Sequence, residues 1–473
     1  MTAEHINKQT LLNSLPPEWP EDVLPSVRRQ LQTSPRTVVV LDDDPTGTQT
    51  VYDIAVLTEW TVDALARELR NDAPAFYLLT NSRSLTAANA ESLNREIAGN
   101  LVRAAQHTGH DFAVVSRSDS TLRGHFPGEV EALAAELKQS FDGWLIIPFF
   151  VEGGRYTIDD VHYVAEGDAL VPAGETPFAQ DAAFGYRASN LRDWVAEKTG
   201  GRIPADAVAS ISLGDIRHGG PDAVYARLME LSGGRVCVVN AASMRDMQVF
   251  VAGLLRAESA GKRFLYRTAA SFVQARAGLD TRPLLAARDL GLPTTGGGLV
   301  IVGSYVPKTT RQVETLLSST PITAIEVSCE ALLDPSQRQA AIDAAAASTD
   351  NALARDADVV IYTSRALVTV AEGEASLAVG SQISSGLISI LRQIKTRPRY
   401  LLAKGGITSS DVATQGLDVK RALVRGQILP GVPVWQLGDE SRYPALTYIV
   451  FPGNVGGDDA LATIVQALAQ GGA

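Results

Sequence analysis

The sequence predicts an α/β protein of two domains, each a mostly parallel sheet flanked by helices. Short apolar segments alternate along the chain with longer segments of helical spacing, as expected for strands buried on both faces by crossover helices. This alternation stops at residues 278–296, which are rich in Gly, Pro and Thr, and then restarts. We therefore divide the chain into an N-terminal extension (1–35), an N-terminal domain (36–277), a linker (278–296) and a C-terminal domain (297–473).

In the N-terminal domain, apolar runs bounded by polar residues predict the strands Val38–Leu41, Ala75–Leu79, Phe112–Val115, Trp144–Ile147 and Val236–Val239. Helical spacing predicts helices over Ala88–Arg103, Phe126–Leu137 and Asp246–Glu258.

In the C-terminal domain, the same criteria predict the strands Leu299–Val302, Val359–Tyr362, Tyr400–Ala403 and Tyr448–Phe451. The predicted helices are Thr309–Leu317, Ser409–Gln415 and Asp458–Leu468, and Gly386–Lys395 is predicted to be part of a fourth.

Composition excludes several classes of protein. The chain has 473 residues, of which 45% are hydrophobic, so it can bury large cores and is not generally disordered. Its net charge of -11 argues against a nucleic-acid partner and against an electrostatic membrane anchor. No secretory signal and no apolar run long enough to cross a membrane is apparent, so we expect a cytoplasmic protein. Two cysteines are too few for a disulfide scaffold.

Polar segments follow the predicted strands, and in open α/β sheets ligands bind beyond the carboxyl ends of strands. Asp42, Asp43, Asp44 and Thr46 follow the first strand. Three adjacent carboxylates repel one another unless a proton, metal or cation is near. This run predicts a general base or a magnesium-linked acid, although aspartates are also common in turns and helix caps.

Two further segments supply cations and hydroxyls to the same domain. Asn81 and Arg83 follow the second strand, and the third is followed by a segment that contains Asp119, Ser120 and Arg123. Arginine presents a planar donor fork to carboxylates and phosphates. These segments suit a small, oxygen-rich, anionic ligand.

A fourth segment carries a Gly-Gly-Arg turn that ends in Gly154 and Arg155. Such a turn can place a guanidinium over a bound anion. The histidines have no metal-ligand spacing, and we assign no metal ligands.

The C-terminal domain offers glycine and hydroxyl loops instead of acids. Each loop joins a predicted strand to a predicted helix, where backbone N–H groups can bind phosphate oxygens. The Gly303–Thr309 loop is close to a Walker A loop but lacks the glycine before Lys-Thr, so we do not assign a P-loop. The candidate nucleotide-binding residues are Ser304, Gly405, Gly406, Thr408, Ser409, Gly453, Asn454 and Gly456.

Acids and arginines in one domain and a phosphate cradle in the other together predict a phosphotransferase. We expect its active site in the interdomain cleft, where water is excluded from the transfer.

These segments resemble those of the four-carbon acid sugar kinases, over roughly residues 37–470. The matching segments are Asp43-Asp44-Pro45-Thr46-Gly47, Asp119-Ser120-Thr121-Leu122-Arg123-Gly124, Gly154-Arg155, Gly303-Ser304, Gly405-Gly406-Ile407-Thr408-Ser409 and Pro452-Gly453-Asn454. The resemblance implies an ATP-dependent enzyme that phosphorylates the terminal hydroxyl of threonate, erythronate or 3-oxo-tetronate. It also implies a substrate-binding N-terminal domain and a nucleotide-binding C-terminal domain.

The sequence departs from the family in an N-terminal extension that is longer than usual and at two further places. Phe451 stands where family members often have lysine, and Arg117-Ser118 stands where many have lysine or threonine. The choice among the acid sugars therefore stays open, and the sequence is compatible with a homo-oligomer.

On this basis we hypothesise roles for the candidate residues. Asp43 or Asp44 accepts the proton of the attacking hydroxyl, and Asp119 orients hydroxyls. Arg123 and Arg155, together with Arg83, hold the substrate carboxylate, and Mg²⁺ arrives with ATP.

Three alternatives remain. A phosphatase of the haloacid dehalogenase type would use Asp42 as nucleophile and Asp44 as acid/base, with Thr80, Lys404 and Asp458 in the remaining roles. The chain between Thr80 and Lys404 contains its own strand–helix series, which is too much for an ordinary cap. A non-enzymatic sugar-acid-binding protein is the second alternative. A dinucleotide dehydrogenase is the third, although no clean G-x-G-x-x-G follows an early strand.

Overall fold

A computed structural model describes residues 6–33, 36–71, 73–304, 306–364, 374–453 and 455–470, with backbone only at 374–378 and 470. The chain forms two compact units, the first from residues 1–54 and 59–281 and the second from residues 55–58 and 282–473. The chain therefore passes through the second unit briefly before it completes the first.

The strands of the first part of the chain are β1 (Ile6–Asn7), β2 (Thr37–Asp42), β3 (Ile54–Leu57), β4 (Ala75–Leu79), β5 (Phe112–Arg117), β6 (Gly143–Ile147), β7 (Arg155–Ile158), β8 (Val161–Glu166), β9 (Ala169–Pro172), β10 (Ala209–Ile211), β11 (Arg235–Val239) and β12 (Phe264–Thr268). Its helices are α1 (Lys8–Ser14), α2 (Leu24–Thr33), α3 (Val62–Leu69), α4 (Ala87–Thr108), α5 (Gly128–Leu137), α6 (Leu191–Lys198), α7 (Leu213–Arg217), α8 (Gly220–Met229), α9 (Met244–Ser259) and α10 (Ala270–Arg276).

The main sheet of the first unit is parallel and has the order β10-β11-β6-β12-β5-β2-β4. A small antiparallel sheet of order β1-β9-β8-β7 accompanies it. Valines at 38–40 of β2 are fully buried, which explains why this strand lacks polar alternation.

The N-terminal extension is bound to the first unit. The Arg217 guanidinium donates to the Pro16 carbonyl at 2.6 Å, and Arg28 forms an ion pair with Asp280. Trp19 lies against Gly220, where an added Cβ would come within 2.5 Å of the indole ring.

The strands of the second part of the chain are β13 (Leu299–Val302), β14 (Thr323–Val327), β15 (Val359–Thr363), β16 (Tyr400–Lys404), β17 (Arg421–Leu429), β18 (Val432–Leu437) and β19 (Thr447–Phe451). Its helices are α11 (Pro307–Ser319), α12 (Cys329–Leu333), α13 (Arg338–Leu353), α14 (Glu374–Gln393), α15 (Gly406–Asp411) and α16 (Ala460–Gln470), with a π-helical turn at Val412–Gly416.

The sheet of the second unit runs β3-β17-β18-β19-β16-β13-β15-β14. Its strands from β19 to β14 are parallel, whereas β17, β18 and β19 pair antiparallel. The prediction of two mostly parallel α/β domains is therefore confirmed, as are the predicted strands and helices. Most of their ends differ by a few residues, whereas α14 begins at Glu374, well before the predicted Gly386.

The structure also contains strands that the sequence did not predict. They are β1, β3, β7, β8, β9, β10, β12, β14, β17 and β18. In β17, buried and half-buried residues alternate, and in β12 a buried arginine interrupts the apolar run. Neither pattern matches the continuous apolar runs by which the other strands were recognised.

Candidate functional site

The acidic run lies at the carboxyl edge of the parallel sheet in the first unit. In the register of the sheet, Asp42 at the end of β2 is opposite Leu79 at the end of β4 and Arg117 at the end of β5. The three segments that follow these strands therefore begin side by side at one edge.

Arg83 joins these segments. Its guanidinium donates a hydrogen bond to the Asp44 carboxylate, lies 3.5 Å from Asp119 Oδ1 and lies 4.0 Å from Asp43 Oδ1. One cation thus bridges all three of the predicted catalytic aspartates.

Asp43 keeps one oxygen free of hydrogen bonds. Its side chain is 4% exposed, and Ser118 donates to its Oδ2 at 3.0 Å. Within the part of the chain that the structure describes, its buried Oδ1 accepts no hydrogen bond, and Arg117 Nη1 lies 3.9 Å away. Burial raises the pKa of this carboxyl, against the opposing effect of Arg83 and Arg117. Asp43 is therefore the most basic candidate of the three.

Asp44 and Asp119 are held as anions. Although burial favours the neutral acid, Arg83 and the backbone and hydroxyl hydrogen bonds from Thr46 hold the pKa of Asp44 below its usual value. Burial is likewise outweighed at Asp119, where Arg123 donates at 2.7 Å and Arg83 adds its charge, so the pKa of Asp119 is lowered. Both carboxylates position cations better than they accept a proton.

Asp42 points into the unit. It is 1% exposed, and Arg117 Nη1 donates to its Oδ1 at 3.3 Å. A Cβ added at Gly47 would lie 2.0 Å from Asp42 Oδ2, so only glycine permits this approach. Burial raises the pKa of Asp42 to about 8, although Arg117 acts in the opposite direction.

The guanidinium groups of Arg123 and Arg155 both lie over the ring of Phe178. Their guanidinium carbons lie 5.1 and 5.6 Å from the centroid of Phe178. Arg123 already faces Asp119 and, at 3.5 Å, Asp181. Among the described residues Arg155 forms no ion pair, and its buried Nε has no hydrogen-bond partner. Arg155 is thus the guanidinium in this group that is best able to receive a substrate anion.

Three predicted residues contribute through the backbone. Asn81 has a left-handed φ of 50°, and its carbonyl accepts a hydrogen bond from Ser84. The Ser120 carbonyl accepts a hydrogen bond from Nε2 of buried His162 at 2.8 Å. At Gly154, φ is 71° and an added Cβ would lie 2.8 Å from the Ala165 side chain, which requires glycine in this turn.

Sequence reasoning missed several residues of this site. Phe178 carried no pattern that distinguishes it from a core aromatic. Glu129 is buried on α5 and has a pKa that burial raises to about 7. Buried Arg267 donates to the Arg123 carbonyl at 3.0 Å. A polar residue inside an apolar strand, as Arg267 is in β12, is the one signal that could have been noticed.

The glycine loops of the second unit also lie at one sheet edge. Lys404 at the end of β16 is opposite Val302 at the end of β13 and Phe451 at the end of β19. The three loops that follow these strands are therefore adjacent.

Close approaches join these loops. A Cβ at Gly405, where φ is 118°, would lie 3.1 Å from both Ser304 Cβ and Thr408 Oγ1. A Cβ at Gly453 would lie 3.6 Å from Ser304 Oγ. Thr309 Oγ1 at the start of α11 lies 3.2 Å from Ser304 Oγ and 3.3 Å from the Gly453 carbonyl. The loops form one cradle of backbone and small side chains.

The remaining candidates differ in position. Gly406 opens α15, and Gly456 has a left-handed φ of 81° before α16. Ser409 is fully buried and donates to the Ala403 carbonyl at 2.9 Å, so its hydroxyl faces the interior of the unit. Asn454 lies outside the described residues.

No group of three or more His, Cys, Asp or Glu side chains in the described ranges could hold a metal ion.

Two family models match the chain, one over the region of the aspartate–arginine cluster and one over the region of the glycine loops. A model of a sugar-binding N-terminal domain matches residues 38–276, and a model of a nucleotide-binding C-terminal domain matches residues 299–461. The chain belongs to the four-carbon acid sugar kinase family. In this chain, the region that matches the first model carries the aspartate–arginine cluster, and the region that matches the second carries the glycine cradle.

Solved structures share this fold. A Salmonella typhimurium LT2 protein, provisionally described as a tRNA synthase, is 18% identical with a TM-score of 0.67, over 91% of this chain and 98% of its own. A Haemophilus influenzae protein of a domain family of unknown function is 20% identical with a TM-score of 0.59, over 91% of this chain and 100% of its own. No curated protein matches the sequence.

Each helix in the described parts of the chain is too short or too polar to cross a membrane.

Proposed function

We propose that the protein is an ATP-dependent kinase that phosphorylates the terminal hydroxyl of a four-carbon acid sugar of the threonate, erythronate or 3-oxo-tetronate type. The observation that carries the proposal is Asp43: a buried carboxyl with a free oxygen in a sugar-binding domain, beside cations that do not fully neutralise it. Such a carboxyl is suited to accept the proton of a hydroxyl as that hydroxyl attacks phosphorus.

The arrangement of cations supports an acidic substrate. Arg155 forms no ion pair within the described ranges, and its Nη1 donates to the Gly153 carbonyl. Burial lowers its pKa, although Asp119 and Glu166 act in the opposite direction. A substrate carboxylate on Arg155 would add an ion pair to this guanidinium. Arg123, held by Asp119 and Asp181, would support the ring of Phe178 beneath it.

The second domain supports a nucleotide as phosphoryl donor. Glycines at 405, 453 and 456 allow phosphate oxygens to approach the backbone, and Ser304 and Thr408 add hydroxyls. Mg²⁺ enters with ATP as part of the donor substrate, where it offsets charge on the phosphates.

Phosphatase chemistry of the haloacid dehalogenase type is less well supported. Its nucleophile would be Asp42, whose carboxylate is buried against Gly47 and bonded to Arg117. Its lysine would be Lys404, whose ammonium already donates to the Pro452 carbonyl. An attacking carboxylate must reach phosphorus, and Asp42 is closed off from solvent.

A coupled ADP-release assay tests the proposal. We expect ADP release from Mg-ATP that depends on one stereoisomer among threonate, erythronate and 3-oxo-tetronate, with a phosphorylated acid as the second product. Phosphate release from phosphoesters without ATP would favour the phosphatase. Binding of an acid with no turnover would leave a sugar-acid-binding protein and overturn the proposal.

A further inference from the structure

Lys404 is a buried cation whose partners among the described residues are neutral. It is fully buried, and its ammonium donates to the Pro452 carbonyl at 2.6 Å and to the Gly453 carbonyl at 3.2 Å. The nitrogen also lies 3.9 Å from the centroid of the Phe451 ring. Two carbonyls and one aromatic ring from consecutive residues thus contact a single ammonium, and none of these groups carries a formal negative charge.

The position of this ammonium relates it to the cradle. Lys404 ends β16, so Gly405 follows it directly, and the carbonyls that it binds belong to the third glycine loop. Lys404 therefore fastens the Pro452–Gly453 loop to the strand that carries the Gly405–Gly406 turn.

In the part of the chain that the structure describes, no carboxylate acts on the pKa of Lys404. Burial lowers its pKa to about 7, and the positive charge of Lys308 acts in the same direction. Arg311 on α11 is paired with Asp458 at 3.0 Å, and Asp411 on α15 accepts hydrogen bonds from Ser384 and Gln415. The other charged group before α16 is Asp459, whose backbone carbonyl accepts from Thr463.

We propose that Lys404 is a positioning residue that holds the Pro452–Gly453 loop in place and takes up a proton when the nucleotide binds. The inference rests on the proposed function in one respect, namely that polyphosphate occupies the cradle. Phosphate charge close to Lys404 stabilises its ammonium, so the pKa of Lys404, which burial lowers to about 7 in the free protein, rises in the complex and Nζ takes up a proton. The proton comes from buffer and forms an N–H bond on Nζ.

Titration calorimetry of Mg-ADP binding to the whole protein at pH 8 tests this coupling. The apparent enthalpy should differ between HEPES and Tris by an amount that corresponds to uptake approaching one proton per nucleotide. Lys404→Arg should abolish the difference, because a guanidinium stays charged in both states. Lys395→Met, which removes an exposed lysine of the same unit, should keep it.

A second measurement separates positioning from general stability. Lys404→Met should raise the KM for ATP at least about tenfold with little change in the KM for the acid, because the Pro452–Gly453 loop loses its hydrogen bonds to residue 404. Equal enthalpies in the two buffers for the unaltered protein, or undiminished uptake in Lys404→Arg, would overturn the inference. Proton uptake without any ADP release would overturn the kinase proposal alone, whereas failure to bind Mg-ADP would overturn both.

Discussion

Asp43, Asp44 and Asp119 are chemically identical, and their surroundings separate their roles. Asp44 and Asp119 each accept a close hydrogen bond from an arginine, whereas the Oδ1 of Asp43 lies 3.9 Å or more from two guanidiniums. A general base must hold a lone pair that no cation occupies, so the proton acceptor is expected to be Asp43.

Replacement of the two neighbouring aspartates should therefore have unequal effects. Asp43→Asn should reduce kcat by about 10²–10⁴, the usual contribution of a general base. Asp44→Asn should reduce it less, because Asp44 acts through Arg83. Steady-state kinetics with saturating ATP measures both, with exposed Asp206→Asn as the matched control. Equal losses in the two variants would contradict the assignment.

The pH dependence of kcat provides an independent test of Asp43. A base works deprotonated, so kcat should fall as pH falls through its pKa, which burial places above the ordinary aspartate value. The charge of Asp44 helps to raise this pKa. In Asp44→Asn the acid limb of the profile should consequently move to lower pH. An unmoved limb, or a move to higher pH, would show that another group titrates.

At the scale of elements, both candidate sites follow from strand order. β2 lies between β4 and β5, and β16 lies between β13 and β19, so segments distant in sequence end at one edge. In the second unit, the turn from β16 into α15 depends on Gly405, whose φ of 118° and ψ of 142° are disfavoured for residues with a Cβ.

Gly405→Ala should distort this turn. The new Cβ would press on Ser304 and Thr408 at 3.1 Å and hold a strained backbone, at a cost of about 1–3 kcal/mol. We expect a lower thermal midpoint and a nucleotide KM raised more than the KM for the acid. Gly380→Ala, at an exposed position of α14 with open space around the new methyl group, should bind nucleotide normally. Normal nucleotide affinity in Gly405→Ala would show that this turn does not contact phosphate.

At the scale of the whole molecule, one early segment of the chain belongs to the second unit. Residues 55–58, which include most of β3, belong to the second unit, where the Thr58 N–H donates to the Lys420 carbonyl at 3.1 Å and β3 lies beside β17. Val56 is 1% exposed. The stability of the second unit should therefore depend on a residue that lies early in the sequence.

Calorimetry of the whole chain can assign Val56 to its unit. The transition that Mg-ADP raises marks the nucleotide-binding unit. Val56→Ala should lower that transition, since truncation of a buried aliphatic side chain costs about 2 kcal/mol. Val114→Ala on β5 is the matched change in the first unit, and it should lower the other transition. The reverse pattern would contradict the division of the chain.

The local hydrophobic pattern of the sequence predicted much of this architecture. Apolar runs located β2, β4, β5, β6 and β11 and four strands of the second unit, because parallel strands are buried on both faces and need continuous apolar sequence. Polar strand ends likewise predicted which side chains meet at the sheet edges, as the register of β2, β4 and β5 shows.

Contacts between distant segments were decided only by the tertiary structure. The sequence could not choose between Asp43 and Asp44, because their difference arises from Arg83, Arg117 and Ser118, which other strands bring to them. Phe178 beneath two arginines and the carbonyls around Lys404 have no sequence signature. Burial and the distance to an opposite charge set a pKa, and both are properties of the folded chain. The sequence by itself thus determined the fold class and the kinds of groups at the strand ends, whereas the tertiary structure decided which of those groups are paired and which remain free to react.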